Sequence, residues 1–305
     1  MVVVGRAGSL YGCYLPSAAA MTLSARPARS ETHGRSEASN AAVFSAMLLT
    51  LALAAALLIR ALDPPQILAY TIWGSTPLVA VLIMMFLIAR DGRTQEGREL
   101  LGLYRLGVRV WWIAILGTFL ISLLAAAMTW ATRFASFTTP ASPVDTVLNF
   151  AVNAIVTIVT FAAAEEIAFR GYLLPRLLQL GRNTALAITG LVHAGWHLPL
   201  ILLTSLYHAD GHRLIILPLF VATIVAAGFV YGDLRIATGS IWPASIAHGV
   251  HNASWGALAA LTVNSSPVLV NEYLAGDTGV FILITTIVAA FWLRRWLRQH
   301  PRKES

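Results

Sequence analysis

The chain has 305 residues, 57% of them hydrophobic and 11% charged, with a mean hydropathy of +0.72. A soluble domain carries about 25% charged residues, so the composition excludes a water-soluble globule and points to a polytopic membrane protein. The net charge of +7 is carried almost wholly by arginines scattered between apolar stretches; without a basic stripe interleaved with aromatics, nucleic acid is excluded as a partner. A single cysteine, Cys13, leaves neither a disulfide framework nor a Cys-rich metal site.

Residues 1–40 are rich in Ala, Ser, Gly and Arg and lack periodicity, which predicts a disordered N-terminal leader, with Met21 as an alternative start. The transmembrane domain is expected over 41–300. At about 20 residues per crossing of about 30 Å, eight spans are expected: Ala41 to Leu62, Gln66 to Ala89, Val110 to Ala131, Asp145 to Leu174, Thr184 to Thr204, Leu214 to Tyr231, Thr238 to Leu261 and Val280 to Leu297. The fold class is therefore all-α, a polytopic membrane helical bundle of about eight transmembrane helices. Between the second and third spans, residues 90–108 alternate Glu96, Glu99 and several arginines with leucines, the pattern of a helix lying on the inner membrane surface. Pro199, Pro218 and Pro243 within spans are expected to kink helices and widen the bundle.

Arginine placement sets the orientation. One side of the eight-span scheme holds Arg6, Arg26, Arg29 and Arg35, then five arginines between 90 and 109, then Arg176, Arg182 and Arg235, then the cluster from Arg294 to Lys303. The other side holds only Arg60, Arg133 and Arg213. Cytoplasmic segments retain Lys and Arg, so both termini are expected in the cytoplasm.

Three spans carry polar groups at membrane depth, where a charge costs roughly 2.5 to 3.5 kcal/mol on insertion scales. The fourth has Glu165, Glu166 and Arg170; the fifth has His193 and His197; the seventh has His248, His251 and Asn252. Residues four apart share a helix face, so Glu166 pairs with Arg170 while Glu165, about 100° away, is free to act. His248 and Asn252 share a face in the same way, as do His193 and His197. Measured from the arginine-marked ends at 1.5 Å per residue, Glu165, His197 and His248 lie within about 6 Å of one another in depth. They are expected to line one polar cavity that opens toward the cytoplasm.

A carboxylate, imidazoles and an amide in a low-dielectric cavity suit activated-water chemistry. Glu165 takes a proton from water, and a histidine holds that water or a Zn²⁺. His248 and Asn252 together stabilise an oxyanion. His193 is read as a packed or hydrogen-bonded ring, His251 as a supporting or interfacial group, and His208 and His212 as solvated loop residues. Trp196, Trp242 and Trp255 are read as packing or interfacial anchors.

Glu165-Glu166-Ile-Ala-Phe169-Arg170-Gly171, then Trp196-His197-Leu-Pro199, then Ser240-Ile-Trp-Pro243 through His248-Gly-Val-His-Asn252 resemble, in order and spacing, the signature of the CAAX prenyl protease and bacteriocin-processing (CPBP, Abi) family of intramembrane proteases. The resemblance covers about residues 98–262. It implies an intramembrane endopeptidase acting on membrane-associated protein or peptide substrates in the lipid bilayer. It assigns water activation to Glu165 and His197, the oxyanion site to His248 and Asn252, and supporting roles to Glu166 and Arg170. If Zn²⁺ is used, Glu165, His197 and His248 are the expected ligands. One departure stands out: His193 occupies a position where the family usually carries an aromatic.

Two other readings compete. A non-catalytic membrane scaffold or bacteriocin self-immunity protein would bind a peptide in the same cavity. An ion carrier would need acids continuing through other spans, and the second, third and eighth have none.

Overall fold

The computed structural model describes residues 36–301. Most of the predicted leader therefore lies outside the described residues. Helix α1, Glu37–Leu62, starts four residues before the expected Ala41, because the Ser36 hydroxyl accepts from the Ser39 amide and caps it. It ends at Asp63, whose left-handed conformation (φ 43°) returns an amide to the Ile59 carbonyl.

The chain continues as α2, Gln66–Ile88; α3, Gln95–Leu100; and α4, Val108–Trp130. After strand β1, Ala135–Phe137, come α5, Pro143–Leu180; α6, Arg182–Leu203; α7, Arg213–Thr238; and α8, Trp242–Ala260. Strand β2, Thr262–Asn264, and α9, Val280–Gln299, complete it. Among the described residues, seven helices are long and apolar enough to cross a membrane. The chain is an integral membrane protein with an all-α bundle.

The eighth expected span is α8. It is helical over 19 residues, about 28 Å, but its His248, His251 and Asn252 keep it outside the apolar set. Its surroundings explain how so polar a helix is tolerated. Eleven of its residues from Pro243 to Leu258 are buried, packed against α4, α5 and α7. Other helices, not lipid, are its main neighbours, which is where intramembrane polar groups belong.

Helix α5 bends at Thr160 (φ −111°, ψ −96°). Before the bend, Ala154 is the only buried residue of Pro143–Val159. After it, Ala162, Ala163, Glu165, Glu166 and Ala168–Leu174 are buried. The bend turns a peripheral helix into a core one, five residues before Glu165. Pro243, expected within a span, sits in the first turn of α8, where proline needs no amide.

The expected surface helix over 90–108 is mostly not one. Only Gln95–Leu100 is α-helical, and the following segment tucks under the bundle instead. Leu101 is buried. The Leu100 carbonyl accepts from Arg235 Nη2 at 2.7 Å, the Leu103 carbonyl from Trp242 Nε1 at 3.0 Å, and the Arg105 carbonyl from the Ser240 hydroxyl. Gly102 turns the chain there at φ +73°, where a Cβ would lie 2.8 Å from the Arg235 guanidinium. Residues 101–107 thus form a plug against the start of α8 and the end of α7.

The two ends of the bundle differ. At the arginine-rich end, Asp233 accepts from Arg182 at 2.8 Å and Arg294 at 2.9 Å, tying α6, α7 and α9. At the other end, β1 and β2 pair antiparallel with Ala135 opposite Asn264, and the connection after α6 meets the one before α9.

Candidate active site

The wheel argument for α5 holds. Glu166 Oε1 and Arg170 Nη1 are 2.9 Å apart and neither side chain is exposed. A pair this deep is costly to break because either charge alone would be left desolvated. Glu166 also accepts from His248 Nδ1 at 3.0 Å, and the Arg170 carbonyl accepts from Arg235 Nε at 3.1 Å. The ion pair therefore fastens α5 to α7 and α8.

Glu165 is not free of partners. Its Oε2 lies 3.0 Å from His193 Nε2 and 3.9 Å from His248 Nε2. His193, read from the sequence as a packed or hydrogen-bonded ring, does pack: it stacks on Phe169 with centroids 4.0 Å apart. It also orients the carboxylate. Arg170 Nη1 lies 3.3 Å from His193 Nδ1; a guanidinium can only donate, so Nδ1 accepts and the ring proton sits on Nε2, pointing at Glu165. The histidine at a position the family usually fills with an aromatic was the signal for this contact.

His197 is placed by its own helix. Its Nδ1 lies 3.1 Å from the His193 carbonyl. A carbonyl only accepts, so Nδ1 carries the proton and Nε2 presents a lone pair. The ring is flanked by Trp73 and Phe220, at centroid distances of 5.0 and 5.1 Å. Trp196 packs away from the site, stacked on Trp73 at 3.7 Å with its Nε1 donating to the Thr76 hydroxyl at 2.8 Å.

His248 is held by Glu166 through Nδ1, leaving Nε2 toward Glu165. Tyr231 stacks on it at 5.5 Å. Asn252, one turn along α8, lines the same cavity. His251 bonds the Asp277 carbonyl through Nε2 at 3.0 Å. The structure thus brings Glu165, His197, His248 and Asn252 to one cavity wall, with His193 added.

That cavity has a volume of about 400 Å³. Its lining runs from Glu165, Tyr231 and His248, the latter two within about two turns of the arginine-rich ends of α7 and α8, past Thr157 and Phe161 of α5 to Ile67, Tyr207 and Asp277 at the arginine-poor end. No residue of the 89–107 connection lines it.

The arginine-poor end of the cavity carries polar contacts between residues about 60 to 70 positions apart. Tyr207 donates to Asp277. Burial first, then the Asp277 carboxylate, holds the Tyr207 phenol well above its usual range. His208, expected to be solvated, is buried; its Nδ1 lies 2.6 Å from Glu272 and its Nε2 accepts from the Thr278 hydroxyl at 2.9 Å. His212 is exposed as expected.

Besides the expected Glu165, His197 and His248, a second trio offers metal donors: Glu165, His193 and His197 each present a ligand atom within 4.8 Å of one another. The hydrogen bonds do not suit that trio. His193 Nδ1 faces the Arg170 N–H and its Nε2 carries a proton, whereas a metal ligand needs a bare lone pair. As bonded, the trio presents two ligand atoms, Glu165 Oε and His197 Nε2, and does not fit Zn²⁺.

Residues 147–254 match the family model described as type II CAAX prenyl endopeptidase Rce1-like. This segment resembles a CAAX protease-family core. It spans about a third of the chain, from the lipid-facing half of α5 to the middle of α8, and contains every residue of the polar cluster. No curated protein matches the chain. The family so described is one of endopeptidases.

Proposed function

We propose that the chain is a glutamate-dependent intramembrane endopeptidase. The observation that carries this reading is Glu165 Oε2, held at 3.0 Å by His193 at the inner end of the cavity with His248 Nε2 at 3.9 Å. A water oxygen bridges a gap of that size. Glu165 takes one proton from that water while the His197 Nε2 lone pair accepts its other O–H, and the oxygen attacks the peptide carbonyl carbon. The carbonyl oxygen becomes an oxyanion, met by the Asn252 amide and by His248 when Nε2 carries a proton. The intermediate collapses with cleavage of the C–N bond, and protonated Glu165 returns its proton to the leaving amine.

Glu166 and Arg170 position the site rather than touch substrate. They fix His248 and His193 respectively. Zn²⁺ has no step in this scheme, since His193 is committed to Arg170 and Glu165. Both termini are assigned to the cytoplasm on the arginine distribution.

The test uses purified protein in proteoliposomes with a membrane-tethered peptide reporter. Glu165→Ala and His197→Ala are each expected to lower cleavage by about 10²- to 10⁴-fold. Parent-like cleavage by both would reject the proposal.

A further inference from the structure

We infer that the arginine-rich end carries a binding site for the phosphate of an acidic phospholipid, in a groove between α6 and α9 that has no part in the proposed chemistry. The groove, of about 380 Å³, is lined by Gly181, Arg182, Asn183 and Thr184 at the start of α6 and by Arg294 and Arg298 in the last turns of α9. Three guanidinium groups meet there. Beneath them lies one buried carboxylate, Asp233, whose Oδ1 accepts from Arg182 Nη2 at 2.8 Å and whose Oδ2 accepts from Arg294 Nε at 2.9 Å. No Asp or Glu lines the groove itself, so three positive charges against one negative leave an excess of two. Arg298 is exposed and makes no hydrogen bond or ion pair among the described residues. Arg294 Nη1 also donates to Asn183 Oδ1 at 2.9 Å, which leaves the Asn183 NH₂ as a further donor. A set made of donors with surplus positive charge suits a phosphate, whose oxygens only accept and which arginine forks bind in pairs.

The depth of the groove points to a lipid as the source of that phosphate. Trp112 and Trp292 are exposed, and Trp296 lies between them, edge-on to Trp112 at 5.8 Å and stacked on Trp292 at 6.5 Å. Such a belt sits at the level of the headgroups, and Trp292 and Trp296 alternate with Arg294 and Arg298 along α9. Phe291 and Ile284, seven and fourteen residues before Arg298, are also exposed. Seven-residue steps keep them within about 40° of Arg298 on the helix. An apolar stripe therefore runs from the groove into the bilayer, where an acyl chain would lie under a bound headgroup; a free phosphate would use the groove alone. Basic pockets between transmembrane helices hold acidic headgroups in this way.

The test uses the purified full chain in zwitterionic detergent and follows its thermal midpoint as dioctanoyl phosphatidic acid, dioctanoyl phosphatidylcholine or inorganic phosphate is added, since a ligand of the folded state raises the midpoint. Phosphatidic acid is expected to raise it, phosphatidylcholine to leave it unchanged, and inorganic phosphate at the same concentration to raise it less than half as far. Arg298→Gln is expected to need about tenfold more phosphatidic acid for the same rise. Arg295→Gln removes the same charge from an exposed position outside the groove and is expected to respond as the parent does. Equal responses of the parent and Arg298→Gln overturn the site, and so does an equal loss in both variants, which would mark a general effect of surface charge. A rise with phosphatidylcholine as large as with phosphatidic acid overturns phosphate recognition by charge. Inorganic phosphate acting as strongly as phosphatidic acid overturns the lipid as the ligand.

Discussion

At the scale of single residues, the account turns on His193. The sequence placed it one turn from His197 and gave it a packing or hydrogen-bonding role; the structure gives it packing and orientation together, since the ring stacks on Phe169 and donates to Glu165. His193→Phe separates the two, because phenylalanine keeps the stack and removes both ring nitrogens. The variant is expected to lose some thermal stability, because the buried Arg170 N–H and Glu165 each lose a partner, and to lower kcat more than it raises KM, with a displaced pH–rate profile. Unchanged kinetics and profile would reduce His193 to packing. Zinc is tested at the same scale. Cleavage by the parent is expected to survive a strong divalent chelator, and a loss reversed only by added Zn²⁺ would contradict the donor assignment made from Arg170 and His193. Polar contacts between residues four apart, such as Glu166 with Arg170, were legible because helical geometry fixes them. The contact of His208 with Glu272 was not, because 64 residues of chain separate them and no local pattern encodes the meeting.

At the scale of elements, the half-buried route of α5 and the plug matter most. Glu166→Ala would leave Arg170 unpaired in a site with no solvent, and breaking such a pair is expected to remove about 3 to 5 kcal/mol of stability. Thermal unfolding in detergent should show a large fall in the midpoint; a parent-like midpoint would mean that Arg170 finds another partner. Trp242→Phe removes one hydrogen bond to the plug, worth about 0.5 to 1.5 kcal/mol. A small stability loss is expected, with faster proteolytic nicking near residue 103 on the arginine-rich side. Unchanged nicking would show that Trp242 does not hold the plug. The helices themselves were legible from hydropathy alone, including α8, whose period survived its polarity. What hydropathy does not carry is the identity of neighbours. It read α8 as one span among eight, whereas α8 is enclosed by α4, α5 and α7. It also read the 90–108 stretch as surface-bound, because Leu100, Leu101 and Leu103 alternate with charge whether they face lipid or the underside of a bundle.

At the scale of the whole molecule, the described residues form a helical bundle around a cavity of about 400 Å³. The convergence of Glu165, His197, His248 and Asn252 was legible because depth can be counted in residues from each arginine-marked end. The cavity lining carries the carboxylates Glu165 and Asp277 and, among the described residues, no Lys or Arg. Peptide reporters with basic flanks are therefore expected to be cut with a lower KM than acidic ones, the gap narrowing as salt rises. Equal KM values at low salt would show that the lining charge does not reach the substrate.

The central claim, that the Glu165 carboxylate makes water nucleophilic, is tested most directly by the near-isosteric Glu165→Gln. In proteoliposomes, with binding and cleavage of one tethered reporter measured on the same preparation, the amide should leave peptide affinity within a few-fold of the parent and lower the cleavage rate by about 10²- to 10⁴-fold. Cleavage at the parent rate would contradict the account, because the basicity of residue 165 would then have no part in the reaction.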